Sequence, residues 1–156
     1  MHYLEAIEQL SFSTWVSESK SLLAYPTVLW LHVMGMGLVV GISTMIGLRL
    51  LGVSPKIPLQ PLERLYPLIW AGFWVNAATG TALLMASASK RMVDPTFYIK
   101  MVFIFVGIAV LRLTRKKVFR NLGPDGALPD GAKPLAWAAL ICWLGAVIAG
   151  RLLAYI

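Results

Sequence analysis

One imidazole stands deep in an apolar run of this 156-residue chain: His32, within the stretch WLHVMGMGLVVG at residues 30–41. A neutral imidazole carries one donor and one acceptor. An ionisable group inside hydrocarbon is costly, and it usually faces the interior of a helix bundle. Two uses follow for His32. As a packing group it would hydrogen-bond a neighbouring helix, with Thr79 or Asn76 as partner. As an axial ligand it would hold the iron of a haem. The neighbouring thioethers of Met34 and Met36 open a third use, in which the histidine and the methionines bind Cu(I) as soft ligands.

The spacing around His32 sharpens the haem case. At about 100° per residue, Gly35 and Met36 flank His32 one turn along, and Val39 and Ser43 continue that face. A glycine there would let a flat macrocycle approach the backbone. Met36 leaves the same helix face as His32, so it cannot be the opposite axial ligand on the same iron. The other histidine is His2. A sixth ligand would therefore come from Met85, Met101, the same residue of a symmetry mate, or nothing. Lys100 and Arg151 belong to other apolar runs and emerge at the same membrane side as His32. There they would either meet haem propionates through charge-assisted hydrogen bonds or snorkel to lipid phosphates. Gly37 and Gly41 form a GxxxG on nearly the opposite side, and with a second small-residue face at Gly145, Ala149 and Gly150 they predict a homo-oligomer.

These residues need a membrane around them, and the composition supplies it. Hydrophobic residues make up 58% of the chain and charged residues 13%, with mean hydropathy +0.74. Soluble domains are about half apolar and a quarter charged. From residue 21 to 48 no Asp, Glu, Lys or Arg occurs, and at about 1.5 Å per residue this run exceeds a hydrocarbon thickness of roughly 30 Å. Further spans are expected over residues 65–88, 96–113 and 134–156. The third carries the apolar stretch MVFIFVGIAVL between Lys100 and Arg112, about 16 Å of helix, and snorkelling must lengthen it. The connections SPKIPLQP, SKRMVDPT and NLGPDGALPDGAKP carry the Pro, Gly and Asp that stop helices.

The expected architecture is thus all-α: a four-helix transmembrane bundle over residues 21–156, preceded by an amphipathic interfacial helix over residues 1–20. In that first segment Tyr3, Leu4, Ile7, Leu10 and Trp15 would lie on the headgroups, with Glu5, Glu8 and Glu18 towards water. Its glutamates and missing apolar core argue against a cleaved leader. Nine basic residues flank connections one and three (Arg49, Lys56, Arg64, Arg112, Arg115, Lys116, Lys117, Arg120 and Lys133), against Lys20, Lys90, Arg91, Lys100 and Arg151 elsewhere. The bias puts both termini outside and those two connections in the cytoplasm.

The net charge of +7 is mostly this topology signal, and the segment RLTRKKVFR at residues 112–120 reads as contact with anionic headgroups rather than nucleic acid. The lone Cys142 excludes a disulfide or a cysteine zinc set within the chain and reads as a packing residue. No carboxylate pair falls inside the apolar runs, and no Ser-His-Asp set is apparent, so hydrolytic chemistry has no carrier.

The segments YPTVLWLH, GISTMIGLRLLGV, RLYPLIWAGFWVNAATGTALL and FYIKMVF, over roughly residues 17–115, resemble small bacterial membrane proteins of the DUF6644 type. They are similar at greater distance to the CopD-like and cytochrome b561-like four-helix proteins. The matching elements are His32, Arg49, Gly52, Pro67, Thr79, Gly80, Phe97 and Lys100. The resemblance implies a bundle in the bacterial inner membrane and favours haem. The shortage of histidines departs from the b561-like pattern and counts against electron transfer across the full membrane. The expected function is binding of haem b through His32, with Gly35, Met36, Lys100 and Arg151 around it, in electron transfer or redox sensing near the outer face. A redox protein or a quinone would be the partner. Copper handling and a purely structural subunit are the alternatives.

Overall fold

The computed structural model describes residues 24–123 and 127–155. The interfacial helix expected over residues 1–20 lies outside them. The described chain is all-helical. Helix α1 spans Ala24–Leu50, α2 Leu59–Glu63, α3 Tyr66–Met85, α4 Ala88–Arg91, α5 Pro95–Lys117 and α6 Ala132–Tyr155, with a 3₁₀ turn at Phe119–Asn121 after α5. Four segments are long and apolar enough to cross a membrane: Tyr25–Leu50, Leu59–Met85, Pro95–Asn121 and Ala132–Leu153.

Local chemistry accounts for the ends. Gly52 adopts φ 89°, where its missing Cβ removes the usual penalty. Its N–H bonds the Arg49 carbonyl, and the Val53 N–H bonds the Leu48 carbonyl, closing α1 in a Schellman motif. The Arg49 guanidinium Nε donates to the Ile57 carbonyl, which folds the first connection back against the helix end. Helix α5 starts with Pro95 after an Asp94 cap whose carboxylate accepts from the Thr96 N–H at 2.7 Å.

Helix α5, the third span, runs four residues past the expected end at residue 113. It has 23 residues, about 35 Å of rise, because Arg115, Lys116 and Lys117 extend it instead of ending it. Lysine and arginine are good helix formers, and cations at a helix C-terminus complement its dipole.

Helix α1 packs against α3 and α6, and α6 packs against α5. Helices α3 and α5 do not pack closely, so the four form an arc whose two ends face each other across a seam. The dense core fills one end of this arc. There Leu50, Tyr66, Ile69 and Val118 are almost fully buried, and the Tyr66 ring meets Phe119 edge-on at 5.6 Å. The Tyr66 hydroxyl donates to the Leu111 carbonyl at 3.3 Å, tying α3 to α5 at that end. Outward, Trp74, Phe105, Ile141 and Leu144 are exposed, an apolar surface suited to lipid.

Helices α1 and α3 approach closely at Gly35 and Gly72. A Cβ built on Gly35 would lie 2.8 Å from the Gly72 carbonyl oxygen, and one on Gly72 would lie 2.9 Å from the Gly35 oxygen. Of the two small-residue faces expected to join chains, one is internal. Gly145 seats the Phe103 ring and Gly150 seats Lys100, both from α5. Gly37 and Gly41 are exposed, with nothing near the position a Cβ would take.

Candidate functional site

At the end of the bundle away from the dense core, the arc encloses a cavity of about 250 Å³. All four long helices line it. His32, Met36 and Val39 come from α1, Phe73, Asn76 and Gly80 from α3, Phe97, Lys100, Met101 and Phe105 from α5, and Trp143, Ala146 and Val147 from α6. The walls are overwhelmingly apolar, with few polar groups converging. That is the usual character of a small-molecule site.

His32 reaches this cavity because the Gly35–Gly72 crossing brings α1 against α3. Its Nδ1 lies 3.1 Å from the Asn76 carbonyl oxygen and 3.1 Å from the Thr79 hydroxyl. A carbonyl only accepts, so Nδ1 carries the hydrogen. The Thr79 hydroxyl donates to the Val75 carbonyl at 2.6 Å, which leaves its oxygen an acceptor towards the ring as well. The Asn76 amide in turn donates to the His32 carbonyl at 2.8 Å. In the neutral ring this arrangement leaves the Nε2 lone pair uncommitted among the described residues. Gly80 makes room for the ring, since a Cβ there would lie 3.0 Å from His32 Cε1. The hydrogen-bonded partners anticipated for a packing histidine are present, and they use one of its two nitrogens.

Three of the five residues singled out from sequence share this cavity: His32, Met36 and Lys100. Lys100 runs inward over α6, with its Nζ 3.6 Å from where a Gly150 Cβ would stand. Among the described residues it makes no ion pair. Gly35 does not face the cavity, because the helix crossing uses its bare backbone. Arg151 is exposed and engages Tyr155 instead, its guanidinium 5.7 Å from the ring centroid. Met101 lines the cavity from α5, whereas Met34 is half exposed on another face of α1. Among the described residues no three of His, Cys, Asp or Glu gather at a metal-binding distance.

Trp143 is the wall residue that sequence reasoning passed over. It is 5% exposed, and its indole N–H has no acceptor among the described residues. A tryptophan in an apolar span reads as packing, but its spacing was informative: residues 143, 146, 147 and 150 share one face of α6. No family model, curated protein or solved structure matches the chain.

Proposed function

We propose that this membrane protein binds a b-type haem through Nε2 of His32 and serves electron transfer or redox sensing at the outer end of the bundle. The observation that carries this reading is the hydrogen bond from His32 Nδ1 to the Asn76 carbonyl. Ligating histidines commonly donate their other N–H in this way, which fixes the tautomer and aims the free nitrogen.

The donor chemistry fits the group. Nε2 of His32 would ligate the iron, the Met101 thioether would be available from the facing helix, and Lys100 would offer a cation for a propionate. The volume is less generous. A cavity of about 250 Å³ falls just below the roughly 300–1,000 Å³ of typical ligand sites. A porphyrin would therefore extend into the seam that α3 and α5 leave between them. When bound, haem supplies one-electron chemistry at an iron whose potential depends on its axial ligands and surroundings. The chain holds His32 in one orientation through Asn76 and Thr79. Phe73 and Phe97 exclude water, and Lys100 offsets anionic charge.

The unpartnered indole N–H of Trp143 supports a second reading, a neutral carbonyl-bearing ring of the quinone class held between Trp143 and His32. Such a ligand would enter from the bilayer through the same seam. Purification in mild detergent separates the two. Haem gives a pyridine haemochrome spectrum near one equivalent per chain. A colourless protein whose organic extract contains quinone rejects haem and supports the second reading, and a colourless protein with an empty extract rejects both.

A further inference from the structure

At the opposite end of the α3–α5 seam lies a second cavity, of about 260 Å³, with a different chemistry. Tyr66 and Trp70 form one wall from α3. Arg112, Arg115 and Lys116 come from the last turns of α5, and Arg120 comes from the 3₁₀ turn. The Arg112 guanidinium sits 5.1 Å from the Trp70 ring centroid, and that of Arg115 sits 5.4 Å from Tyr66. Among the described residues, the ion pair in this cluster joins Arg115 to Glu63 at 3.3 Å. Four cations less that one carboxylate leave an excess of three positive charges around one pocket.

Like charges so placed repel, and flexible side chains at a membrane surface would ordinarily splay into water. Here two of them lie over aromatic rings as cation–π pairs, which keeps both guanidiniums on the wall of one pocket. Such a cluster is organised for an anion with several acceptor oxygens. Its depth says which anion. Trp70 lies, half-buried, in the second turn of a helix suited to span the bilayer, and tryptophan favours headgroup level. Beyond the pocket, α5 turns apolar side chains outward at Leu113, Val106 and Val102, offering a track for acyl chains.

We propose that this pocket binds the headgroup phosphate of an anionic glycerophospholipid whose acyl chains lie on the exposed apolar surface of α5. Basic pockets between membrane helices bind such headgroups where general surface attraction would only concentrate them. The charge excess favours a lipid with two phosphates over one with a single phosphate.

Native mass spectrometry of the full-length protein in mild detergent tests this, with titration of a two-phosphate lipid of the cardiolipin type, phosphatidylglycerol and phosphatidylcholine. Retention should fall in that order. Arg112→Gln combined with Arg120→Gln should weaken retention of the two-phosphate lipid by at least about tenfold, since each basic residue near an anionic surface contributes roughly a factor of five. Lys117→Gln serves as control, because Lys117 is an exposed cation of the same segment outside the pocket. It should stay within about twofold of the parent if the pocket, rather than diffuse surface charge, holds the lipid. Equal losses in the two variants would overturn the site. So would equal retention of phosphatidylcholine. Displacement of the lipid by millimolar inorganic phosphate would assign the pocket to a soluble phosphate instead.

Discussion

His32 and Asn76 hold each other by two hydrogen bonds running in opposite directions. The imidazole N–H donates to the backbone carbonyl of Asn76 at 3.1 Å, and the Asn76 amide donates to the backbone carbonyl of His32 at 2.8 Å. The helices are thereby joined at one level, and the ring is turned so that its second nitrogen is left for the cavity. Asn76→Ala removes only the second bond, since the first uses the backbone. It should cost about 1 kcal/mol of stability in detergent, as interhelical hydrogen bonds in membranes do. An unchanged melting temperature would show that the amide bond contributes nothing.

The Gly35–Gly72 crossing sets where His32 arrives. Gly72→Ala would put a methyl 2.8 Å from Leu38 Cβ and 2.9 Å from the Gly35 carbonyl, so α1 and α3 must separate. A loss of about 1–3 kcal/mol is expected from such overpacking. Gly37→Ala, with open space at its Cβ, should be neutral or slightly stabilising in the same thermal melt. Equal effects of the two substitutions would contradict the crossing.

The comparison of these two glycines shows what the amino-acid pattern disclosed. Four spans were legible because apolar runs of bilayer length have few alternatives. Their ends were less so: charge stops an apolar run at Arg112 but does not stop a helix, and α5 continues to Lys117. Asn76 and Thr79 were legible as partners of His32 because few other polar groups occur in the second span. The role of Gly35 was not. A glycine one turn from a histidine serves a ligand or a helix crossing equally well, and the azimuth of α3 decides. The small residue at Gly72 was the available signal. Likewise Lys100 and Arg151 occupy comparable membrane depths, yet one turns inward over Gly150 and the other outward to Tyr155.

The proposed orientation rests on the basic residues at the two ends. In a Cys142→Ala background, Val93→Cys should react with an impermeant thiol reagent applied to intact cells, and Val53→Cys only after permeabilisation. Both positions are about two-thirds exposed, at 67% and 65%. The reverse labelling pattern would invert the proposed orientation, and with it the assignment of the His32 cavity to the outer side.

The Asp94 cap predicts an acid limit on α5. Hydrogen bonds from the Thr96 hydroxyl and N–H hold the carboxylate below the ordinary carboxylate range. A depressed folded-state value means that the stabilisation is present above the unfolded value of about 3.9 and is lost as pH falls through the folded one. Melting temperatures should therefore drop below pH 4 more steeply for the parent protein than for Asp94→Asn. Parallel profiles would remove the cap from the account.

The most direct measurement is the reduced-minus-oxidised absorption spectrum of detergent-purified protein, recorded for the parent and for His32→Ala, with circular dichroism to follow the helices. The account predicts a Soret band and dithionite-sensitive visible bands in the parent. In His32→Ala it predicts their loss with helical content retained, because removing a polar group from a lipid-embedded helix need not unfold it. Haem bound by His32→Ala with an unchanged spectrum would contradict the ligand assignment, and a parent protein without a Soret band would contradict haem binding itself.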